Sequence, residues 1–154
     1  MDPVAQPLAA APLRERNRAL LAVALVNFAG MAGFGTLFPI LPQYALSIGA
    51  TATHVGLALA AFSVGQLLAG ARIGALSDRY GRRPVLLGSL ALTALFSAAT
   101  ALCDTPLSLI LVRLLAGLAS GSFGVTFAVA ADVTSPRDRP AAMARVGAGL
   151  SLGF

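Results

Sequence analysis

One cation interrupts a long apolar run. Arg113 follows Leu109, Ile110, Leu111 and Val112 and precedes Leu114 and Leu115. It lies about seven residues, on the order of 10 Å, inside the end of a helix that starts near Pro106. An arginine at a helix centre costs roughly 2.5 to 3.5 kcal/mol on insertion, whereas the twelve Leu, Ile, Val and Phe residues of 106–131 return about 4 to 7 kcal/mol. Such a helix still inserts, but a charge kept at that cost faces a wet cavity or a partner, which makes Arg113 a candidate functional residue. The alternative is snorkelling of its long side chain to the headgroups. Asn27 and Gln66, polar groups in two other apolar runs, join Arg113 as candidate lining of a cavity. The chemistry on offer is recognition of charge and hydrogen-bonding groups rather than bond making. There is one histidine, His54, placed at a helix start, and there are no paired carboxylates, no nucleophile with a base and no metal-ligand cluster. Neither an enzyme nor a resident cofactor is expected.

A second charged group stands between apolar runs. Gly74-Ala75-Leu76-Ser77-Asp78-Arg79-Tyr80-Gly81-Arg82-Arg83-Pro84-Val85-Leu86 is short, charge-dense and built for a sharp reversal. Gly74 permits close backbone approach, Gly81 can take a positive φ, and Pro84 suits the first turn of a following helix. Asp78 can accept hydrogen bonds from unpaired amides at a helix start, and Arg79, Arg82 and Arg83 suit an anionic membrane face. Asp132, followed by Arg137 and Arg139, is a further acidic residue at the end of an apolar run.

The elements that must position these groups are transmembrane helices. Hydrophobic residues make up 57% of the chain and charged residues 11%, less than half of the roughly 25% usual in soluble domains. Mean hydropathy is +0.82. Four apolar runs, about 19–44, 54–76, 84–103 and 106–131, each have roughly the 20 residues needed to cross a hydrocarbon core, and a fifth begins near Pro140 and reaches Phe154 at about half that length. Backbone amides in lipid must be satisfied within the segment, and runs this long without alternation do not suit barrel strands. An all-α membrane bundle follows, with residues 1–18 as a tail and 19–154 as a partial transmembrane domain. Residues 1–12, rich in Ala and Pro, are expected to be disordered.

Arginine placement sets the orientation. The net charge of +5 arises without lysine. Arg14, Arg16 and Arg18 precede the first run, Arg79, Arg82 and Arg83 follow the second, and Arg137, Arg139 and Arg145 follow the fourth, whereas the connections at 43–53 and 103–105 hold no basic residue. The arginine-bearing ends are therefore expected in the cytoplasm, in a multi-pass protein of the inner or plasma membrane with its N-terminus inside. A nucleic-acid partner is not expected, since the arginines do not share a solvated face. Cys103 has no partner for an internal disulfide and reads as a small apolar filler.

Small residues recur where lipid-facing helices would prefer Leu. Gly70 and Gly74, Gly117 and Gly121, and Gly149 and Gly153 have the G-x-x-x-G spacing that lets helix backbones pack closely. Packing alone explains them, and a rocking helix interface would use the same surfaces. Gly30, Gly33 and Gly35, with Pro39 and Pro42, are expected to bend the first helix near its outer end.

The order G-x-L-x-D-R-x-G-R-R-x-x-L over 74–86 resembles the loop between helices 2 and 3 of the major facilitator superfamily of secondary transporters. Arg113, Gly117 and Gly121, in the order R-x-x-x-G-x-x-x-G, are similar to the fourth-helix motif of its drug/proton antiporters. Gly35-Thr36-Leu37-Phe38-Pro39-Ile40-Leu41-Pro42 looks like the end of the first helix in that branch, which includes tetracycline-type efflux proteins. The resemblance covers nearly all of 19–154 and implies a twelve-helix protein of paired six-helix halves with substrate between them, of which this chain supplies the first four spans and the start of a fifth. It implies that Arg113 lines a central cavity and is associated with proton coupling, and that Asp132 with the basic loop closes the cytoplasmic side against residues 74–83. A salt bridge from Asp132 to Arg79, Arg82 or Arg83 is the expected latch. The implied partners are the lipid bilayer, a small-molecule substrate, protons, and the remaining C-terminal helices of the same transporter.

Two departures qualify the resemblance. No Asp or Glu lies within any span, although many antiporters of this kind carry one in the first helix. Either the proton carrier lies in other helices or coupling is of another kind. The Gly-rich start at Gly149 and Gly153 resembles the fifth-helix antiporter motif, whose remainder is not in this sequence. Two functions stay open. One is an N-terminal part of a secondary active exporter of drugs or metabolites, unable to move substrate alone. The other is a short, non-transporting multi-pass protein that assembles through its glycine faces.

Overall fold

The computed structural model describes residues 13–154, so the Ala- and Pro-rich segment expected to be disordered lies outside the described residues. Six α-helices follow one another among the described residues: α1 (Leu13–Ser47), α2 (Ala52–Tyr80), α3 (Arg82–Ala99), α4 (Pro106–Ala119), α5 (Phe123–Asp132) and α6 (Arg139–Gly153). A short 3-10 turn, Thr100–Leu102, extends α3. Four stretches are long and apolar enough to cross a membrane, namely Leu13–Ser47, Ala52–Tyr80, Arg82–Leu102 and Pro106–Asp132.

Local chemistry sets the helix ends. Thr51 opens α2, its amide donating to His54 Nδ1 at 3.1 Å, so His54 serves as a capping residue. Thr105 opens α4 by accepting from the Ser108 amide at 3.2 Å, with Pro106 in the first turn where no amide is needed. Between α2 and α3 a single residue makes the reversal: Gly81 has φ 93°, a conformation that a side chain would strain. The first helix continues through Pro39 and Pro42 to Ser47. Its start takes in Leu13 to Arg18, residues the sequence reading left in the tail.

The fourth apolar run, expected as one helix over 106–131, consists of two helices meeting at Ser120–Ser122. The Ser120 amide is shared between the carbonyls of Ala116 and Gly117, each at 3.0 Å, which tightens the last turn of α4. Breaking a helix in lipid frees carbonyls that must find donors. Ser89 of α3 supplies one, donating to the Ala119 carbonyl.

Helices pair through their small residues. At Gly117 a methyl group would strike the Phe62 carbonyl of α2, at Gly121 it would come within 2.9 Å of Ala69 Cβ, and at Gly65 within 2.5 Å of the Leu114 carbonyl. On α6, Gly149 and Gly153 lie against the carbonyls of Ala24 and Phe28 in α1. Thus α2 packs on α4 and α1 on α6 at backbone distance, the arrangement that dispersion between helices in lipid requires. Two apolar clusters close the ends of the bundle. Leu20, Val23, Leu86, Val125 and Val146 lie at the arginine-rich end, and Leu41, Ala45, Ala58 and Leu109 at the other. Large apolar side chains such as Leu67, Leu95 and Leu102 point outward, 80%, 61% and 81% exposed, as a lipid-facing surface would have them.

Candidate central cavity and the charged helix ends

Between the two apolar clusters lies a cavity of about 260 Å³ walled by α1, α2, α3, α4 and α5. Asn27, Gly30 and Phe34 line it from α1, Phe62, Ser63 and Gln66 from α2, and Thr93 and Ser97 from α3. Arg113 of α4, the turn residues Ser120 and Ser122, and Phe123 of α5 complete the wall. Among the described residues, none of the lining side chains is Asp or Glu.

Arg113 is 2% exposed. Its Nη2 donates to the hydroxyl of Thr100, in the 3-10 turn after α3, and that hydroxyl in turn donates to the Phe96 carbonyl at 3.2 Å. The guanidinium does not snorkel to the protein surface, and its Nε has no hydrogen-bond partner among the described residues. Asn27 is fully buried. Its Nδ2 donates to the Val146 carbonyl of α6 at 3.4 Å, while its Oδ1 has no partner among the described residues. Gln66 Nε2 reaches Ser120 Oγ at 3.4 Å, joining α2 to the turn between α4 and α5. The structure thus places Arg113, Asn27 and Gln66 around one cavity without direct bonds among the three.

A charged cluster lies at the arginine-rich end. Arg82 Nη2 is 3.0 Å from Asp78 Oδ1 and 3.1 Å from Asp132 Oδ2, tying the ends of α2 and α5 to the start of α3. The ion pair expected between Asp132 and the loop arginines is therefore made by Arg82. Arg79 instead lies over the ring of Tyr80, 5.5 Å from its centroid, and Arg83 is exposed. Asp78 does not cap α3 as its position suggested, because the first turn of that helix has no side-chain cap. Its carboxylate takes the nearby guanidinium, a stronger acceptor relation than one to an amide. Gly74, expected at a close approach, has open space where a side chain would stand. Gly70 is likewise open on its own side, and it meets Gly121 through its backbone amide.

Three groups escaped the sequence reading. Arg16 Nη1 pairs with Asp138 at 2.9 Å, joining the start of α1 to the start of α6. Thr100 lies inside the third apolar run, where nothing in its residue type singles it out. Arg72 is a cation within α2, exposed on the surface near Gly70 and Gly74, and its charge inside an apolar run was the signal that marks it.

Residues 23–154 match the family model of the Major Facilitator Superfamily. The chain is similar to the class C tetracycline resistance protein of Escherichia coli, 37% identical over 128 residues, covering 80% of this chain and 32% of that protein. It is 32% identical over 126 residues to the class H tetracycline resistance protein of Pasteurella multocida, covering 80% of this chain and 32% of the relative. It is also 34% identical over 134 residues to the staphyloferrin B transporter of Staphylococcus aureus, covering 84% and 32%. The chain spans about a third of the length of these relatives. With the helical bundle, the charged loop after α2 and a match extending over most of its length, the chain belongs to the Major Facilitator Superfamily.

Proposed function

We propose that this chain is part of a secondary active exporter of small organic molecules that works by alternating access. The observation that carries the reading is the cavity itself, lined by five helices with a buried, incompletely paired cation in its wall. A cation that expensive to bury is retained where a ligand or water meets it. The names of the similar proteins, two of them tetracycline resistance proteins and one a transporter, agree with export of small molecules.

Arg113, Asn27 and Gln66 line the substrate pathway in this reading. The Asp78–Arg82–Asp132 cluster holds the arginine-rich end together in one conformation and releases it in the other. Gly74, Arg79, Gly81 and Arg83 belong to the same moving loop. Further helices of the same transporter pack on the open face of α2 around Gly70 and Gly74. Protons drive the exchange, and because no Asp or Glu lies within the four apolar spans the proton carrier comes from those further helices. The arginine-rich end faces the cytoplasm.

Assembly without transport has less support, since Gly117, Gly121, Gly149 and Gly153 are already occupied by contacts within this chain. The test is reconstitution of the complete gene product in liposomes with an imposed proton gradient and a panel of fluorescent dyes. Gradient-dependent dye movement that is lost in Arg113→Ala is the expected result. Movement unaffected by that substitution would remove Arg113 from the pathway, and no movement of any dye would remove the transport reading.

A further inference from the structure

Contacts between the helices sort them into two groups. In the first, α2 and α4 meet at backbone distance: a methyl group at Gly117 would strike the Phe62 carbonyl, one at Gly65 the Leu114 carbonyl, and one at Gly121 the backbone at Ala69 and Gly70. An interface packed so closely leaves these two helices no room to tilt against each other. In the second, α1 and α6 are fastened in the same way, with Gly149 and Gly153 against the carbonyls of Ala24 and Phe28, and Arg16 pairs with Asp138 at their ends. The cavity lies between the groups, with Asn27 and Phe34 of α1 on one side and Phe62, Ser63 and Gln66 of α2 on the other.

The fourth apolar span passes from one group to the other. Its first half, α4, belongs with α2, whereas Val125 and Ala130 of α5 pack with Leu20 and Val23 of α1 and with Ala142 and Val146 of α6. The break at Ser120–Ser122 falls at that crossing. The Ser120 amide closes α4 on Ala116 and Gly117, and the ladder resumes where the Val125 and Thr126 amides reach the Ser122 carbonyl. Side chains of the first group hold the break: Ser89 donates to the Ala119 carbonyl, and Gln66 Nε2 lies 3.4 Å from Ser120 Oγ. The two ends of the bundle are tied unequally. Away from the arginines, Leu41 and Ala45 of α1 pack with Ala58 and Leu109, and the Tyr44 hydroxyl reaches the carbonyls of Ala101 and Cys103. At the arginine-rich end the groups are joined by Leu86 in the apolar cluster and by Arg82–Asp132, a half-exposed ion pair of the kind that contributes little.

We propose that Ser120, Gly121 and Ser122 form a hinge, about which α5, with α1 and α6, swings relative to α2, α3 and α4. The arginine-rich end then opens within this set of helices. In the conformation seen here the span is broken, the Ala119 carbonyl takes the Ser89 hydroxyl, and Arg82 holds Asp132. In the other, α4 and α5 run on as one helix, the Ala119 carbonyl takes the amide of Phe123 four residues on, and Asp132 leaves Arg82. Asp78 keeps Arg82 in both, because the two residues belong to the same group. The opposite end, closed by Leu41, Ala58 and Leu109, is the fulcrum. This motion goes beyond the transport reading, which stands whether or not the joint moves.

The experiment measures distances between nitroxide pairs by pulsed electron resonance, on the complete gene product in liposomes with its native cysteines replaced. One pair, Tyr80→Cys with Arg137→Cys, spans the two groups; the other, Arg14→Cys with Arg137→Cys, lies within the second, and all three sites are exposed. The spanning pair should show two distance populations and the control pair one. Asp132→Arg should raise the longer population by up to about fivefold, and Ser89→Ala, which deprives the broken span of its donor, by about fivefold or more. A transporter that moves only as two rigid halves changes neither distance, since the three labels lie in the same half. A single population for the spanning pair therefore overturns the hinge, as does a control pair that shifts with it. A response to Asp132→Arg without one to Ser89→Ala overturns its placement at Ser120–Ser122. Should Ser89→Ala fail to fold, the two distributions in the otherwise unaltered protein decide the matter. Dye movement with fixed distances leaves the transport reading standing and removes the hinge alone.

Discussion

Arg82, the first residue of α3, holds Asp132, the last residue of α5, at 3.1 Å, and the same guanidinium nitrogen holds Asp78 at 3.0 Å. One cation thus satisfies two carboxylates that would otherwise repel. These side chains are a third to two-thirds exposed, so each pair contributes no more than about 0.2–1 kcal/mol. Asp132→Arg should therefore fold with nearly unchanged thermal stability, yet shift the balance between two conformations by up to about fivefold. A cysteine replacing Ser63, which lines the cavity, should react faster with a membrane-impermeant maleimide in inside-out vesicles of this variant. Unchanged labelling and unchanged transport would mean that the ion pair latches nothing.

The Arg113–Thr100 contact makes a sharper demand on stability. Thr100 is 3% exposed, so removing its hydroxyl leaves a buried donor without its partner. Thr100→Val should destabilise the protein by about 1–3 kcal/mol, and Thr100→Ser, which keeps the oxygen, by less. Thermal unfolding in detergent separates the two. A Thr100→Val variant as stable as the unaltered protein would mean that the hydroxyl contact contributes nothing.

Helix ends were legible in the sequence because their determinants are local. Gly81 between two apolar runs, and Thr105 followed by Pro106, locate a reversal and a helix start without knowledge of any neighbour. The break at Ser120–Ser122 was not legible. Its flanks are uniformly apolar, and a serine or glycine in lipid is equally at home inside a helix, so the freed Ala119 carbonyl is tolerated only because Ser89 of another helix donates to it. The same distinction separates the site residues. Arg113 announces itself by insertion cost, whereas Thr100 gains its role from a contact between two helices. Asp78 could serve a helix start or a neighbouring cation, and only the fold selects Arg82. Gly74 carries the pattern of a close approach, but a glycine does not encode what approaches it.

The glycines supply a controlled comparison. A methyl group at Gly117 meets the Phe62 carbonyl, whereas one at Gly147 meets nothing within 4 Å. Gly117→Ala must push α2 and α4 apart and should lower stability by about 1–3 kcal/mol. Gly147→Ala, in the interior of α6, should raise it by about 0.5–1 kcal/mol through helix propensity. Thermal unfolding of both variants in one detergent checks the pair, and similar shifts would show that backbone contact is not what holds α2 to α4.

On the opposite pair of helices, packing and charge can be weighed against each other. Arg16 and Asp138 join α1 to α6 at 2.9 Å, with side chains 24% and 52% exposed. A double-mutant cycle with Arg16→Ala and Asp138→Ala should return a coupling of about 1 kcal/mol or less. Gly149→Ala, which intrudes on the Ala24 carbonyl, should cost about 1–3 kcal/mol. Coupling larger than the packing loss would make the ion pair the main fastening.

Orientation supplies the last prediction. The course of the helices brings Arg16, Arg82 and Asp132 to one end, as the ion pairs Arg16–Asp138 and Arg82–Asp132 require. At the other end the Tyr44 hydroxyl lies 3.0 Å from the carbonyls of Ala101 and Cys103. With basic residues gathered at the first end and none in the connections 43–53 and 103–105, the positive-inside bias predicts that first end in the cytoplasm. Cys103 is the sole cysteine and is buried, so Cys103→Ala gives a clean background. On it, Asp104→Cys should react with an impermeant maleimide added to intact cells, and Tyr80→Cys, 62% exposed in this structure, only after permeabilisation. The reverse pattern would place the charged loop outside the cell, where anionic cytoplasmic lipid could not hold its arginines and the proposed direction of gating would be inverted.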